Sequence, residues 1–184
     1  MSDQLELVPG RFRTVLADPP WHEKGGGKIK RGADRHYSVL KTPDIIDLLL
    51  RDCPPLAQVE RNAHLYLWVT NTYLFEAKSV VDALGFTYKT NFVWTKDRFG
   101  LGQYARGQHE LLLFCTRGRG YDVRRAHGAR RRSTWIGKEA IAKAAHSEKP
   151  DEAHAMIERG SKGPYLELFA RQRREGWTVW GNEV

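Results

Sequence analysis

The residues of this chain with the most chemistry in them stand together, Asp18-Pro19-Pro20-Trp21, directly after the apolar run Phe12 to Ala17. The run reads as a buried strand. Two consecutive prolines cannot continue a hydrogen-bonded ladder, so the strand ends there and leaves the Asp carboxylate and the proline carbonyls pointing out of the sheet edge. Such acceptors suit one demanding reaction, methylation of the exocyclic amine of a nucleobase. That nitrogen's lone pair is delocalised into the ring, which makes it a poor nucleophile. Acceptors aimed at its hydrogens favour a tetrahedral nitrogen and stabilise the positive charge that develops on attack. Trp21 adds an aromatic plane on which a flipped-out base would stack, a contact worth about 1–3 kcal/mol. The competing reading of the same four residues is a strand followed by a rigid Pro-Pro turn, with Trp21 as an ordinary core residue.

The elements that must position these groups alternate. After the first strand comes a polar loop, residues 22–36, carrying a tri-glycine and the charges Lys24, Lys28, Lys30, Arg31 and Arg35. Thr42-Pro43-Asp44 predicts a helix start with proline at the first helical position, and Cys53-Pro54-Pro55 predicts its stop. Strands are predicted over 63–69, 87–95, 110–116, 165–170 and 177–180. Helices are predicted over 73–84, ended by Gly85, and over 150–159, with Pro150 first and Gly160 just past the end. Alternating strands and helices predict one α/β domain over residues 1–184, a mostly parallel, doubly wound sheet with ligands at the carboxyl ends of its strands. Loops expected to be mobile span about 22–36, 98–109 and 117–134.

Of 184 residues, 30 are Lys or Arg and 22 Asp or Glu, giving a net charge of +8. That balance favours a polyanionic partner, nucleic acid before membrane. Residues 117–132 hold seven arginines and almost nothing apolar, and Arg124, Arg125, Arg130, Arg131 and Arg132 are the expected phosphate contacts there, with Lys28, Lys30 and Arg31 in the first loop. A surface insert is the alternative for the arginine segment. The apolar stretches are too short to span a bilayer and the start of the chain shows no signal-peptide pattern, so a cytoplasmic location is expected. Cys53 and Cys115 lie outside any metal-type spacing and read as two unpaired structural thiols, and no metal site is expected. A G-x-G-x-x-G turn is absent, leaving a nicotinamide-type site unsupported.

Near the end stand His146-Ser147-Glu148-Lys149-Pro150-Asp151-Glu152, then Tyr165 to Arg171, then Trp177 to Glu183. Together with Asp18-Pro19-Pro20-Trp21, this order of motifs resembles the MT-A family of adenine-N6 methyltransferases, named for the seventy-kilodalton subunit of the eukaryotic mRNA enzyme, in its small bacterial or phage form. The resemblance implies a Rossmann-like domain whose catalytic motif precedes its cofactor motif, and S-adenosylmethionine as cofactor with S-adenosylhomocysteine as product. It implies that Lys149 pairs with the cofactor's methionine carboxylate. It also implies that Glu167, Phe169 and Arg171 surround the adenosyl half, and that Asn182 and Glu183 bond the ribose hydroxyls or the adenine edge. Asp18, Pro19, Pro20 and Trp21 become the catalytic set, with Asp18 also bordering the cofactor and Tyr37 near the transferred methyl. Residues 102–110 resemble the family's second active-site loop, which sets Arg106, His109 and Glu110 near the nucleotide. Each residue also has a plain reading: Lys149 as a solvated lysine before a helix, Phe169 as a buried strand residue, Glu167 as an exposed one. The expected substrate is adenine in DNA, since accessory RNA-binding motifs are lacking; RNA adenosine and a catalytically silent nucleic-acid-binding subunit are the alternatives. Monomer, homodimer and a complex with a partner subunit all remain open.

Overall fold

The computed structural model describes residues 12–22, 39–96, 104–119, 133–136, 149–182 and 184. Among the described residues seven strands, β1 (Phe12–Ala17), β2 (Val59–Val69), β3 (Thr87–Thr95), β4 (His109–Arg117), β5 (Thr134–Ile136), β6 (Tyr165–Leu168) and β7 (Trp177–Trp180), form one sheet in the order β5-β3-β4-β2-β1-β6-β7. The pairs β5/β3, β2/β1, β1/β6 and β6/β7 are parallel, and only β4 runs against its neighbours. The mostly parallel expectation holds.

Side-chain alternation along the strands builds a core on each face. Val15, Ala17, Leu65, Leu67, Leu111, Leu113, Leu166 and Leu168 pack with Ile45 and Leu49 of α1 (Thr42–Arg51) and Ala77 and Val80 of α2 (Leu74–Ala83). Leu16, Tyr66, Trp68, Leu112, Phe114 and Val179 pack with Ala153 and Ile157 of α3 (Glu152–Gly160). Helices thus cover both faces, the doubly wound arrangement of a Rossmann-like domain.

Several boundaries depart from the sequence reading. β2 begins at Val59, which pairs with Phe12; the polar Glu60, Arg61 and Asn62 fall in the irregularity before His64 pairs with Thr14, and their composition hides this part of the strand. The short parallel strand β5 was not predicted at all. Regular α3 starts at Glu152, after a tighter turn in which the Pro150 carbonyl accepts the Ala153 N–H at 3.0 Å, and Gly160 is its last residue. β6 stops at Leu168 because Phe169 has φ +62°, a left-handed conformation that costs a bulky residue about 1–3 kcal/mol and turns the chain out of the ladder. Arg117, counted with the arginine segment, belongs to β4: its guanidinium donates to the carbonyls of Val59 (2.6 Å) and Glu60 (2.7 Å) and covers the Phe86 ring. It braces the sheet instead of reaching toward phosphates. Both thiols are buried and unbridged, and burial pushes Cys53 up to about 11 and Cys115 to about 12.

Candidate active site

Parallel β1, β2, β6 and β7 end at one edge of the sheet, β3 ends there too, and the reversed strand β4 starts there. Topology alone therefore gathers Asp18 after β1, Lys96 after β3, Glu110 as the second residue of β4, Phe169 and Arg171 after β6, and Gly181 and Asn182 after β7. Lys149 enters the same edge just ahead of α3.

The four ionic side chains at its centre form a continuous chain. Lys149 Nζ lies 3.0 Å from Asp18 Oδ2 and 3.3 Å from Glu110 Oε2, and Lys96 Nζ lies 2.7 Å from Glu110 Oε1. Water reaches them little: the side chains of Lys149, Glu110 and Asp18 are 12%, 11% and 20% exposed. Two indoles wall the cluster, with Lys149 Nζ 5.6 Å from the Trp68 ring and Lys96 Nζ 5.0 Å from the Trp94 ring. Burial works against the Lys149 ammonium, but the flanking Asp18 and Glu110 carboxylates outweigh it and raise its pKa. Glu110 ends below its ordinary value, since two lysines outweigh its burial. Asp18 ends above its own, raised by burial and by Glu110, with Lys149 and Arg171 opposing. The two carboxylates differ for a simple reason: Glu110 has Lys96 as a second cation in direct contact, whereas Asp18 shares Lys149. Asp18 is thus the more basic acceptor of the two.

The Pro-Pro turn is fixed by its own carbonyls. Pro19 O accepts the Trp21 N–H at 2.8 Å and Pro20 O accepts the Leu40 N–H at 2.8 Å. Neither carbonyl simply projects from the edge as expected; each has already taken one donor. The expectation for Trp21 is corrected more sharply. Its indole is 7% exposed, stacks on Tyr73 at a centroid distance of 5.4 Å and donates Nε1–H to Trp68 O at 3.0 Å. With its face already used, Trp21 is a core anchor of the turn and offers no open plane to a base. Among the described residues an exposed aromatic of this region is Tyr104, near the exposed Arg106, on the segment leading into β4. His109 is exposed at the strand start, while Glu110 turns inward to the lysines.

Lys149 stands at this edge as the link between two carboxylates, not as a solvated lysine. Glu167 is half-buried, with Oε2 2.9 Å from His154 Nε2. Phe169 meets Trp180 edge-to-face at 5.6 Å. Arg171 lies close enough for its charge to act on both Asp18 and Lys149, and Asn182 is exposed. The two strand exits approach closely: the Ala170 N–H donates to Trp180 O at 3.1 Å, and a Cβ on Gly181 would stand 2.3 Å from Ala170 O. Only glycine permits that crossing. Tyr37, Glu183, Lys28, Lys30, Arg31, Arg124, Arg125, Arg130, Arg131 and Arg132 lie outside the described residues. Sequence reasoning missed Lys96, Trp68, Trp94, His154 and Gly181. A hairpin reading of β3 and β4 would have brought Lys96 near Glu110, whose strand neighbours Trp94 and Thr95 face Glu110 and His109.

Among the described residues no group of His, Cys, Asp and Glu is arranged to hold a metal ion. The donor set does fit a charged nucleoside cofactor: a carboxylate on β6 for hydroxyl donors, an aromatic pair at the strand exits, and a cationic Lys149 and Arg171 beside an acid.

The chain is 28% identical over 203 residues to the type II methyltransferase M.MunI of Mycoplasma sp, covering 97% of this chain and 80% of that protein. It is 27% identical over 198 residues to the N6-methyladenosine RNA methyltransferase MTA1 of Pyricularia oryzae, covering 98% of this chain and 48% of that one. A stretch of 40 residues, 21% of this chain and 8% of the other, is 52% identical to the human N(6)-adenine-specific methyltransferase METTL4. The chain thus spans most of the first relative and half or less of the other two. The MT-A70 family model matches residues 12–183. Because that match runs from the start of β1 past the exit of β7 and takes in Asp18, Glu110 and Lys149 alike, the chain belongs to the MT-A70 family.

Proposed function

We propose that the chain transfers a methyl group from S-adenosylmethionine to the exocyclic N6 amine of adenine in a nucleic acid, with DNA as the substrate. The observation that carries this reading is the Asp18 carboxylate, held at the carboxyl edge of the sheet 3.0 Å from a buried Lys149. When bound, the cofactor supplies an electrophilic sulfonium methyl. Asp18 accepts a hydrogen bond from the adenine amine and, as the more basic carboxylate of the cluster, stabilises the positive charge that appears on the nitrogen. Pro19 O, with one lone pair already committed to Trp21, offers the second acceptor. Lys149 keeps Asp18 ionised and oriented, and Glu110 with Lys96 keeps Lys149 in place. Lys149, Glu167, Phe169, Arg171, Asn182 and Glu183 are the residues proposed to hold the cofactor. Tyr104, Arg106 and His109 border the base entrance, with Tyr37 and the arginine segment as further contacts.

The net charge of +8 supports a nucleic-acid substrate, and a cytoplasmic location accompanies it. Matching M.MunI over 80% of its length but the RNA methyltransferase over 48% supports the compact type II enzyme as the better functional parallel. RNA adenosine is the second reading, favoured by that same RNA-directed relative. The test offers labelled S-adenosylmethionine with duplex DNA, single-stranded DNA and RNA in parallel, followed by digestion. N6-methyl-deoxyadenosine is the expected product. Label in adenosine alone moves the substrate to RNA, and label in neither, with cofactor bound, supports a silent binding subunit.

A further inference from the structure

A second buried ionisable pair lies on the α3 side of the sheet, outside the carboxylate–lysine cluster. His154 and Glu167, joined at 2.9 Å, have side chains 11% and 18% exposed. Whatever its protonation, the imidazole donates from Nε2, because the carboxylate only accepts. Packing fixes the ring. It stands edge-on to Trp177 at 5.0 Å and 79°, and Trp177 is itself stacked on Tyr165 at 4.7 Å and tied through its indole N–H to Glu158 Oε1 at 2.8 Å. His154 Nδ1 is buried with no hydrogen-bond partner among the described residues. Among the described residues the ring is thus held through its other nitrogen, Nε2. Glu167 is aligned with Leu16 and Val179 on the neighbouring strands, two residues before the left-handed Phe169. One of its oxygens takes the His154 hydrogen. No further bond to this carboxylate occurs among the described residues.

An acid at the carboxyl edge of a doubly wound sheet, with one oxygen fixed and the other uncommitted, matches a vicinal diol, whose two hydroxyls both donate. We propose that His154 is a positioning residue: it holds Glu167 so that the second oxygen receives the ribose hydroxyls of the cofactor. This rests on the S-adenosylmethionine reading above. Isothermal calorimetry with S-adenosylhomocysteine and with its 2′,3′-dideoxy analogue tests it, using the wild type, His154→Leu and His154→Gln, each checked for an intact melting transition. His154→Leu should weaken S-adenosylhomocysteine by about tenfold, the worth of one well-oriented bond to a charged group, and leave the analogue's affinity unchanged. His154→Gln, which restores an N–H donor, should recover most of the loss even if the leucine variant folds poorly. If His154→Leu binds both compounds like the wild type, or loses affinity for both equally, His154 does not position Glu167 for the ribose. Failure of the wild type to bind S-adenosylhomocysteine at all would instead overturn the cofactor reading, and with it this one.

Discussion

Replacing Lys149 by methionine keeps the length and volume of the side chain and removes only the charge, which isolates the electrostatic link at the centre of the site. In the folded protein that ammonium is 3.0 Å from Asp18 and 3.3 Å from Glu110, in surroundings where no more than a fifth of any of the three side chains meets solvent. Glu110 would retain Lys96 at 2.7 Å, so the loss falls on Asp18. Stranding one partner of a buried pair typically costs about 3–5 kcal/mol. Asp18 has some relief from its partial exposure and from taking up a proton, which points to the lower end, about 3 kcal/mol at pH 7. For a protein of this size that is a melting temperature lower by about 6–12 °C. The pH dependence has a definite sign. Asp18 has a folded-state pKa raised above 3.8 by burial, and losing Lys149 raises it further. The deficit therefore opens as pH rises through the folded-state value and closes on acidification. Calorimetric melting between pH 4 and 8 is the assay, with Asp18→Asn combined with Lys149→Met as the partner experiment. Removing the stranded charge should recover at least half of the loss. Strict additivity of the two substitutions, or a Lys149→Met loss below about 0.5 kcal/mol, would show that the lysine is a solvated side chain and refute the reasoning.

Three further outcomes follow from the same geometry. If kcat/KM requires ionised Asp18, its acid limb is shifted upward from that of an ordinary aspartate; Glu110→Gln removes a negative neighbour and should move the limb to lower pH, while Lys149→Met should move it higher, as pH–rate profiles will show. Gly181→Ala places a methyl 2.3 Å from Ala170 O, so it should destabilise the fold by about 1–3 kcal/mol in urea titrations and weaken S-adenosylhomocysteine binding, because the displaced backbone carries Phe169 and Asn182. Trp21→Phe removes the indole N–H that donates to the Trp68 carbonyl and should cost about 0.5–1.5 kcal/mol, with nucleic-acid affinity little changed; the reverse pattern in a binding titration would restore Trp21 as a base platform.

Much of the fold was legible because its signals are local. β1, β3 and β7 are where their apolar runs place them, and proline and glycine mark the ends of α1 and α2. β5 was not legible: three residues after an arginine-rich segment acquire strand geometry only by pairing with Val93, Trp94 and Thr95. The early stop of β6 was hidden likewise, since nothing in Phe169 itself announces a left-handed backbone. At the site, residue types identified Asp18 and Lys149 separately, but that they touch depends on β1 and the approach to α3 meeting at one edge, a long-range fact. Trp21 misled for a related reason. An aromatic beside a catalytic acid reads equally as platform or anchor until its neighbour Tyr73 is known. His154 gave no signal, because its partner Glu167 is on a strand 13 residues away.

The most direct test of the account is single-turnover methylation of adenine-containing DNA by Asp18→Asn, with S-adenosylmethionine saturating and its affinity measured in parallel. An amide preserves the shape but replaces an anionic acceptor with a group that can present a donor to the amine. The account predicts a rate lower by about a hundred- to a thousandfold, with cofactor affinity within about threefold of the wild type. A near-normal rate, or a methyl group found on cytosine, would contradict it.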